Sequence, residues 1–226
     1  MAADVQSFNV HLRELILYTE PEFIGNGEDL RLAITGHWNN RKTLHGHYDD
    51  GTSIYWLPPV RYLADKQPRI LAIQAGLIDL ENMYSALGET LHVGSKAFKI
   101  KATEIVDKKV PFGLSGFLLT YCSLSLWIAL NQKRYEDYIC YGDKRKRAGL
   151  LENIFVGNLL SLSKGVGYNV KNPILAKIHF FDEKQAKFKG IPLAAFSISI
   201  TTNFIIPDSL GLGRHTSIGY GRFKEI

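Results

Sequence analysis

Residues 110–132 carry no charged side chain, and this stretch constrains the fold more than any other part of the chain. It is long enough to cross a bilayer as a helix. Its glycines, proline and hydroxyl side chains oppose that interpretation, because a membrane span requires an almost wholly apolar sequence. Residues 118–127 alternate between two faces, as buried strands do. We therefore expect a strand over Leu118–Leu130, entered through a glycine-rich loop, and no membrane segment.

The overall composition is that of a packed globular protein. Apolar residues make up 46% and charged residues 22% of the 226 positions, which excludes wholesale disorder. The length suits one large domain or two small ones. Cys122 and Cys140 are too few for a disulfide framework and predict free thiols in a reducing cytoplasm. The N-terminus lacks a basic region followed by an apolar one, so no signal peptide is expected.

The first half of the chain shows the element order of a ferredoxin-like unit, which is strand, helix, strand, strand, helix, strand. Asn26 or Asp29 is the expected N-cap of the first helix. The predicted elements are a strand over Phe8–Tyr18, a helix over Glu28–Trp38, strands over Ser53–Trp56 and Arg69–Gln74, a helix over Leu77–Leu87, and one or two strands over Thr90–Val106.

The second half repeats this pattern loosely, so the predicted fold class is α+β. The apolar spacing predicts a helical turn over Arg134–Ile139, a helix over Leu150–Leu162, and strands over Ile174–Phe181 and Leu193–Phe204 joined by a charged turn, Asp182–Lys189. We expect two directly packed domains, residues 1–110 and 111–226, with Val106–Gly116 as the candidate boundary.

Charge is unevenly distributed between these halves. The whole chain has a net charge of +5. Residues 1–112 contain 12 Lys and Arg against 14 Asp and Glu, whereas residues 113–226 contain 15 against 8, a net of +7. This asymmetry indicates either a polyanion bound mainly by the C-terminal half or a merely soluble basic surface.

A glycine-rich segment, Gly211–Phe223, lies close to the C-terminus. Only five residues follow Gly221, so the helix required by a Rossmann or Walker phosphate loop does not fit. Two interpretations stay open. In the first, Arg214, His215, Thr216 and Ser217 project donors toward a phosphate backbone. In the second, the glycines only permit tight turns.

A basic run, Lys144–Arg147, precedes the helix expected to start near Leu150. Cations oppose the helix dipole at that end, and a docked anion would relieve the repulsion. The alternative is a solvated charged loop.

Three of the seven histidines lie close together, His37, His45 and His47, with Lys42 among them. Imidazole suits general acid–base catalysis at neutral pH, and a nearby cation stabilises charge developing on a phosphate. Two alternatives stay open. The run from His45 to Asp50 resembles a His-x-His-x-Asp-His metal site, except that residue 50 is Asp, and the three histidines could be structural.

Together these motifs resemble the CRISPR-associated repeat-RNA endoribonucleases of the branch found with type I-B systems, over nearly the whole chain. The matching segments are Asn203–Leu210 with the glycine-rich Gly211–Phe223, Trp127–Gln132 followed by Tyr135, Leu151–Leu160 with Ser163–Gly165, and Leu44–His47.

The resemblance implies two tandem ferredoxin-like (RRM-like) domains with a C-terminal glycine-rich loop. It also implies metal-independent cleavage of the CRISPR repeat, without a cofactor, to yield mature crRNA. The implied catalytic residues are His37 and His45, with His47 as a rival and Lys42 beside them. Gly46 stands where the family pattern has Asn. The candidate RNA contacts are Lys144, Arg145, Lys146, Arg147, Lys164, Gly211, Gly213, Arg214, His215, Ser217, Gly219 and Gly221.

The runner-up function is a non-catalytic RNA-binding subunit of a Cascade-type effector complex, and a metal-dependent hydrolase ranks third. The expected partners are repeat RNA or crRNA and other effector-complex subunits. The sequence leaves open the repeat sequence, the cut position, which histidine is the base, retention of the product, and the oligomeric state, for which a homodimer is one option.

Overall fold

The computed structural model describes residues 8–36, 58–74 and 76–226. The chain forms two compact units. One comprises residues Val10–Val110 with Ser217–Gly219, and the other comprises Met1–Asn9, Pro111–Thr216 and Tyr220–Ile226. We call them the N-terminal and the C-terminal unit.

Strands and helices of the N-terminal unit follow the predicted order. They are β1 (Phe8–Glu20), α1 (Gly27–Thr35), β2 (Val60–Leu63), β3 (Arg69–Ile73), α2 (Gly76–Ser85), β4 (Thr90–Val93) and the first part of β5 (Lys96–Ser123). Strand β3 pairs antiparallel with both β1 and β2, and β4 pairs antiparallel with β5. Strand β2, which directly follows two prolines, was not predicted. The strand expected over Ser53–Trp56 lies outside the described residues.

Helix α1 shows why these residues form these elements. Asn26 is its N-cap, and the side-chain oxygen accepts hydrogen bonds from the backbone N–H groups of Glu28 and Asp29 at 2.8 and 3.0 Å. The carboxylate of Asp29 in turn accepts from the N–H of Asn26 at 2.9 Å, which completes a capping box. Of the two expected N-caps, Asn26 is the one observed, and Asp29 is instead the third helical residue. Leu30 and Ile34 point into the core of the unit.

Strand β5 is unusually long, and it runs from the N-terminal into the C-terminal unit. It ends at Ser123, so the strand predicted over Leu118–Leu130 is wrong in its second half. Residues 127–130 are instead all buried in irregular backbone, with one bridge between Trp127 and Phe196. A continuous apolar run is found both in buried strands and in buried irregular backbone. Its periodicity alone does not distinguish the two. No described helix is long and apolar enough to span a membrane.

The C-terminal unit contains the remaining elements, and α+β is confirmed as the fold class. These elements are α3 (Gln132–Cys140), α4 (Lys144–Val166), β6 (Ala176–Phe188), β7 (Ile191–Ile205) and β8 (Phe223–Glu225). Strand β7 pairs antiparallel with both β5 and β6, and β8 pairs with β5. Its core includes the rings of Trp127, Phe155, Phe196 and Phe223, with edge-to-face neighbours 5.4 to 6.4 Å apart.

Two sequence predictions in this unit need correction. The segment Asp182–Lys189 is not a turn, because β6 continues to Phe188 and the hairpin turns at Lys189 and Gly190, both at positive φ. Helix α4 starts at Lys144 rather than near Leu150, so the basic run forms its first turn. In both places charged side chains occupy an exposed position on a regular element.

Candidate nucleic-acid interface

Residues 37–57, which contain His37, Lys42, His45 and His47, lie outside the described residues. The structure reaches Gly36, the C-cap of α1, immediately before His37. Helix α1 was expected to extend to Trp38, and its described part ends at Thr35. The position of this helix therefore determines where the predicted catalytic segment begins.

The start of α1 packs against the glycine-rich segment. A Cβ built on Gly27 would overlap the carbonyl oxygen of Ile218 and lie 2.6 Å from that of Tyr62. Ser217–Gly219 accordingly belongs to the N-terminal unit. Helix α1 is only about 14 Å long, and Ile218 contacts its first residue. Ile218 and Gly36, the residue before His37, therefore lie near opposite ends of this short helix.

Three glycines of this segment are required by packing within the C-terminal unit. A Cβ on Gly221 would overlap the carbonyl oxygen of Leu212, and one on Gly211 would lie 2.5 Å from that of Tyr220. Gly213 has φ +86°, and a Cβ there would lie 2.8 Å from the carbonyl oxygen of Ile128. These glycines permit backbone to meet backbone, which is the tight-turn interpretation. Gly219 is not required by packing in this way, because a Cβ built there would lie 3.6 Å from its nearest neighbours.

Arg214 and His215 form the outer part of the segment. The backbone N–H of Arg214 donates to the carbonyl of Ile128 at 3.0 Å, and its guanidinium donates to the carbonyl of Leu130 at 3.2 Å. Arg214 is nonetheless exposed. The imidazole of His215 lies on the ring of Phe188, with centroids 4.0 Å apart.

The tip of the β6–β7 hairpin adds lysines that the sequence analysis did not select. Lys187 and Lys189 are exposed there, and the ammonium of Lys189 lies 5.6 Å from the centroid of Phe188. The carbonyl of Lys187 accepts a hydrogen bond from the hydroxyl of Tyr220 at 3.3 Å. Lysines were present in the predicted charged turn, but only the tertiary structure shows that they flank Phe188, the ring on which His215 stacks. We call Lys187, Lys189, Arg214 and His215 the hairpin cluster.

The first turn of α4 forms a second basic surface. Lys144, Arg145 and Lys146 are exposed, and this turn contains no acidic residue. Asp143 caps the helix by accepting the N–H of Arg145 at 2.9 Å. This turn therefore combines cations with the positive end of a helix dipole, an arrangement that favours a bound anion.

Two side chains of this turn contact aromatic rings, because the ammonium of Lys144 lies 5.3 Å from the centroid of Phe181 and Arg147 packs on Tyr138. The guanidinium of Arg147 lies 4.7 Å from the centroid of Tyr138 and donates to the carbonyl of Tyr141 at 2.7 Å. Burial and a hydrogen bond to Glu183 raise the pKa of Tyr138 to about 12. Arg147 is thus half-buried, and its side chain contributes packing as well as a positive charge.

The structure does not bring all of the predicted contacts together. Lys164 is exposed in the last turn of α4, about 25 Å along the helix axis from Arg147. Ser217 is partly buried in the short helical turn that ends at Ile218. Among residues 8–36, 58–74 and 76–226, no group of His, Cys, Asp and Glu side chains could hold a metal ion. The alternative metal site at His45–Asp50 lies outside those ranges.

Two family models match the chain in succession. Residues 9–111 match the Cas6b N-terminal domain, and residues 113–226 match the Cas6b C-terminal domain. A protein of Methanocaldococcus jannaschii described as uncharacterized is 36% identical over 139 residues, which are 62% of this chain and 89% of that protein.

Solved structures agree with these matches. A crystal structure of Cas6b has a TM-score of 0.83 and 26% identity, covering 97% of this chain and 100% of that one. A second, of the CRISPR RNA processing endoribonuclease Cas6b, has a TM-score of 0.74 and 25% identity with the same coverage. A type IV Cas6 crRNA endonuclease, 10% identical with a TM-score of 0.61, shares the fold alone. These likenesses confirm the predicted tandem ferredoxin-like domains.

Proposed function

Because the chain belongs to the Cas6b family, we propose that it cleaves CRISPR repeat RNA in a precursor transcript to release mature crRNA. The observation that carries this proposal is the pair of matched domain models, which together extend from residue 9 to residue 226 with one residue between them. The similar solved structure that is described as a CRISPR RNA processing endoribonuclease supports it.

The proposed reaction uses the 2′-hydroxyl beside the scissile phosphate as its nucleophile. One histidine, His37 or His45, removes the proton of that hydroxyl. The oxygen attacks the phosphorus in line, the bond to the 5′-oxygen breaks, and the other histidine or Lys42 returns a proton to the leaving oxygen. The products are a 2′,3′-cyclic phosphate and a 5′-hydroxyl. Since the nucleophile belongs to the substrate, positioning and proton transfer supply the acceleration without a metal.

The two halves of the chain divide the work in this proposal. Residues 1–112, with a net charge of −2, contain the candidate catalytic histidines, and residues 113–226, with +7, hold the RNA. The hairpin cluster and the first turn of α4 supply cations for phosphates. Lys164, Ser217 and Gly219 stay predicted contacts. A cytoplasmic site of action, Cascade-type partner subunits and a homodimer also stay predictions.

A cleavage assay in EDTA tests the chemistry. We expect purified protein to cut its cognate repeat RNA once and to leave a 5′-hydroxyl on the downstream fragment. A substrate with a 2′-deoxy nucleotide at the cut site should bind and stay intact, because the nucleophile is missing. Cutting of that substrate would disprove attack by the 2′-hydroxyl. Tight binding without any cutting of the all-ribose repeat would favour the non-catalytic subunit instead.

The salt dependence of binding tests the first turn of α4. Replacing Lys144, Arg145 and Lys146 with glutamine should weaken binding of repeat RNA and reduce the slope of log K against log salt by about one to three, since each lost phosphate contact removes roughly one unit. Arg147 is left in place because it packs on Tyr138. The matched control replaces three exposed lysines of the N-terminal unit, Lys96, Lys99 and Lys109. Equal slopes for the two triple variants would refute a specific role for this turn.

A further inference from the structure

The sheet of the C-terminal unit has two unlike faces. On β7, Phe196, Ile198 and Ile200 are buried, and the Phe196 ring contacts Tyr138 of α3 with centroids 5.4 Å apart. The residues that alternate with them along the strand are Ser197, Ser199 and Thr201. These three point to the opposite face and are only partly buried. Helix α3 therefore lies on the first face.

Strand register defines a row of side chains across this opposite face. Cys122 of β5 pairs with Lys224 of β8 on one side and with Ser199 of β7 on the other. Ser199 in turn pairs with Phe180 of β6. Because directly paired residues share a face, these four side chains form one line across four strands. Phe180 ends the line with 54% of its surface exposed.

A second row is a chain of hydrogen bonds. The hydroxyls of Thr120 and Thr201 lie 2.8 Å apart, and the Thr201 hydroxyl lies 2.7 Å from Nε2 of His179. His179 has no partner in the register, because β6 shifts between Ile178 and Phe180. This irregularity leaves His179 and Phe180, two consecutive ring side chains, both exposed. We call Thr120, Cys122, His179, Phe180, Ser199, Thr201 and Lys224 the open face.

The chemistry of the open face suits one kind of partner. It offers hydroxyls, an imidazole, an exposed phenyl ring and one ammonium. The carboxylate of Asp182, which pairs with Ser197 on the same side of the sheet, forms an ion pair with Lys184 at 2.6 Å. The open face belongs to the half of the chain with a net charge of +7, which complements a polyanion. An aromatic ring on a flat sheet stacks on an unpaired base, whereas the bases of a duplex are already stacked on each other.

We infer that the open face binds single-stranded RNA, with Phe180 stacking on a base and the Thr120–Thr201–His179 chain bonding to sugar or phosphate oxygens. This inference rests on the proposed function for its substrate class and adds a surface separate from the hairpin cluster and the first turn of α4. The open face would then bind the single-stranded RNA that adjoins the cleavage site.

Binding of short RNA to Phe180 variants tests the inference. The probe is a fluorescein-labelled oligouridylate of eight nucleotides, followed by fluorescence anisotropy. Phe180→Leu keeps an apolar side chain but removes the ring, so affinity should fall about 5- to 150-fold, the loss typical of one stacked base. Phe180→Trp should bind at least as tightly as the wild type. The control, Ile139→Ala, removes a residue on α3 that is 53% exposed and should bind normally.

Three outcomes overturn the inference. They are affinity of Phe180→Leu within twofold of the wild type, an equal loss for Ile139→Ala, or an equal loss in binding of duplex RNA of the same length. Tryptophan emission gives an independent measurement if Phe180→Leu is misfolded, because Phe180→Trp should show quenching by RNA beyond that of the wild type. Absence of that added quenching also overturns it.

Failure of this inference can be distinguished from failure of the proposed function. Cleavage of repeat RNA by the wild-type protein measures the function, and binding of oligouridylate by the Phe180 variants measures the open face. If the wild-type protein cuts the repeat but the Phe180 variants bind oligouridylate normally, the proposed function holds and the inference about the open face is wrong. If the protein cuts nothing yet depends on Phe180 for binding, the reverse holds.

Discussion

Alanine at His37 or at His45 is expected to slow cleavage of repeat RNA by about 100- to 10,000-fold, the range typical of losing a general acid or base. The rate should be measured under single-turnover conditions with protein in excess, so that substrate binding and product release do not mask the chemical step. RNA affinity should change little, because a neutral imidazole contributes little to the attraction of phosphates. The variants thereby separate chemistry from binding.

His47→Ala is the matched comparison, since it removes the same side chain only two positions from His45. If it alone abolishes cleavage, the catalytic assignment in this segment moves from His45 to His47. Normal rates for all three variants would mean that the histidine cluster is structural, and the catalytic assignment would fail. Far-UV circular dichroism should confirm that each variant retains its helices, because α1 ends next to His37.

Gly221→Ala is expected to destabilise the protein by about 2–5 kcal/mol. Gly221 has φ +71°, where an alanine costs about 1–2 kcal/mol, and its Cβ would overlap the carbonyl oxygen of Leu212. Forcing an extra carbon into packed structure costs about 1–3 kcal/mol more. For a chain of this length the melting temperature should fall by about 4–20 °C, which thermal unfolding followed by circular dichroism would measure.

Gly157→Ala makes the same chemical change in open space. Gly157 lies in the interior of α4, and no atom lies within 4 Å of a Cβ built there. Alanine favours the helix over glycine, so this variant should be about 0.5–1 kcal/mol more stable than the wild type. Equal melting temperatures for Gly221→Ala and the wild type would show that the backbone at Gly221 can move away from Leu212.

Local sequence determined the elements whose signals are local. The alternating residues of β1 and the N-cap of α1 are signals that act within a few positions, and the strand and Asn26 as one of two candidate caps were both predicted. The fold class followed, since the order of strands and helices suffices for it. The family followed from motifs spread over the whole chain, and the matched domain models confirm it.

Two of the wrong predictions concern charged segments of the C-terminal unit. Charged residues favour exposure, but an exposed segment can still be part of a strand or a helix. The charged residues of Asp182–Lys189 indicate exposure rather than a turn, because an exposed strand tolerates charged side chains and directs them outward. The basic run Lys144–Arg147 likewise forms the first turn of α4, where its first three side chains are exposed and Arg147 packs on Tyr138. Hydrophilicity indicates exposure, and a regular element can be exposed.

What the sequence by itself determined is therefore the class of fold, the family and the residue types available for chemistry. Only the tertiary structure decided which distant segments meet. It places Ile218 against the start of α1, stacks His215 on Phe188, and aligns Lys224, Cys122, Ser199 and Phe180 across four strands. Such contacts depend on strand pairing and on backbone packing between residues far apart in the chain, whereas the alternation of side chains indicates only which face of a strand is buried.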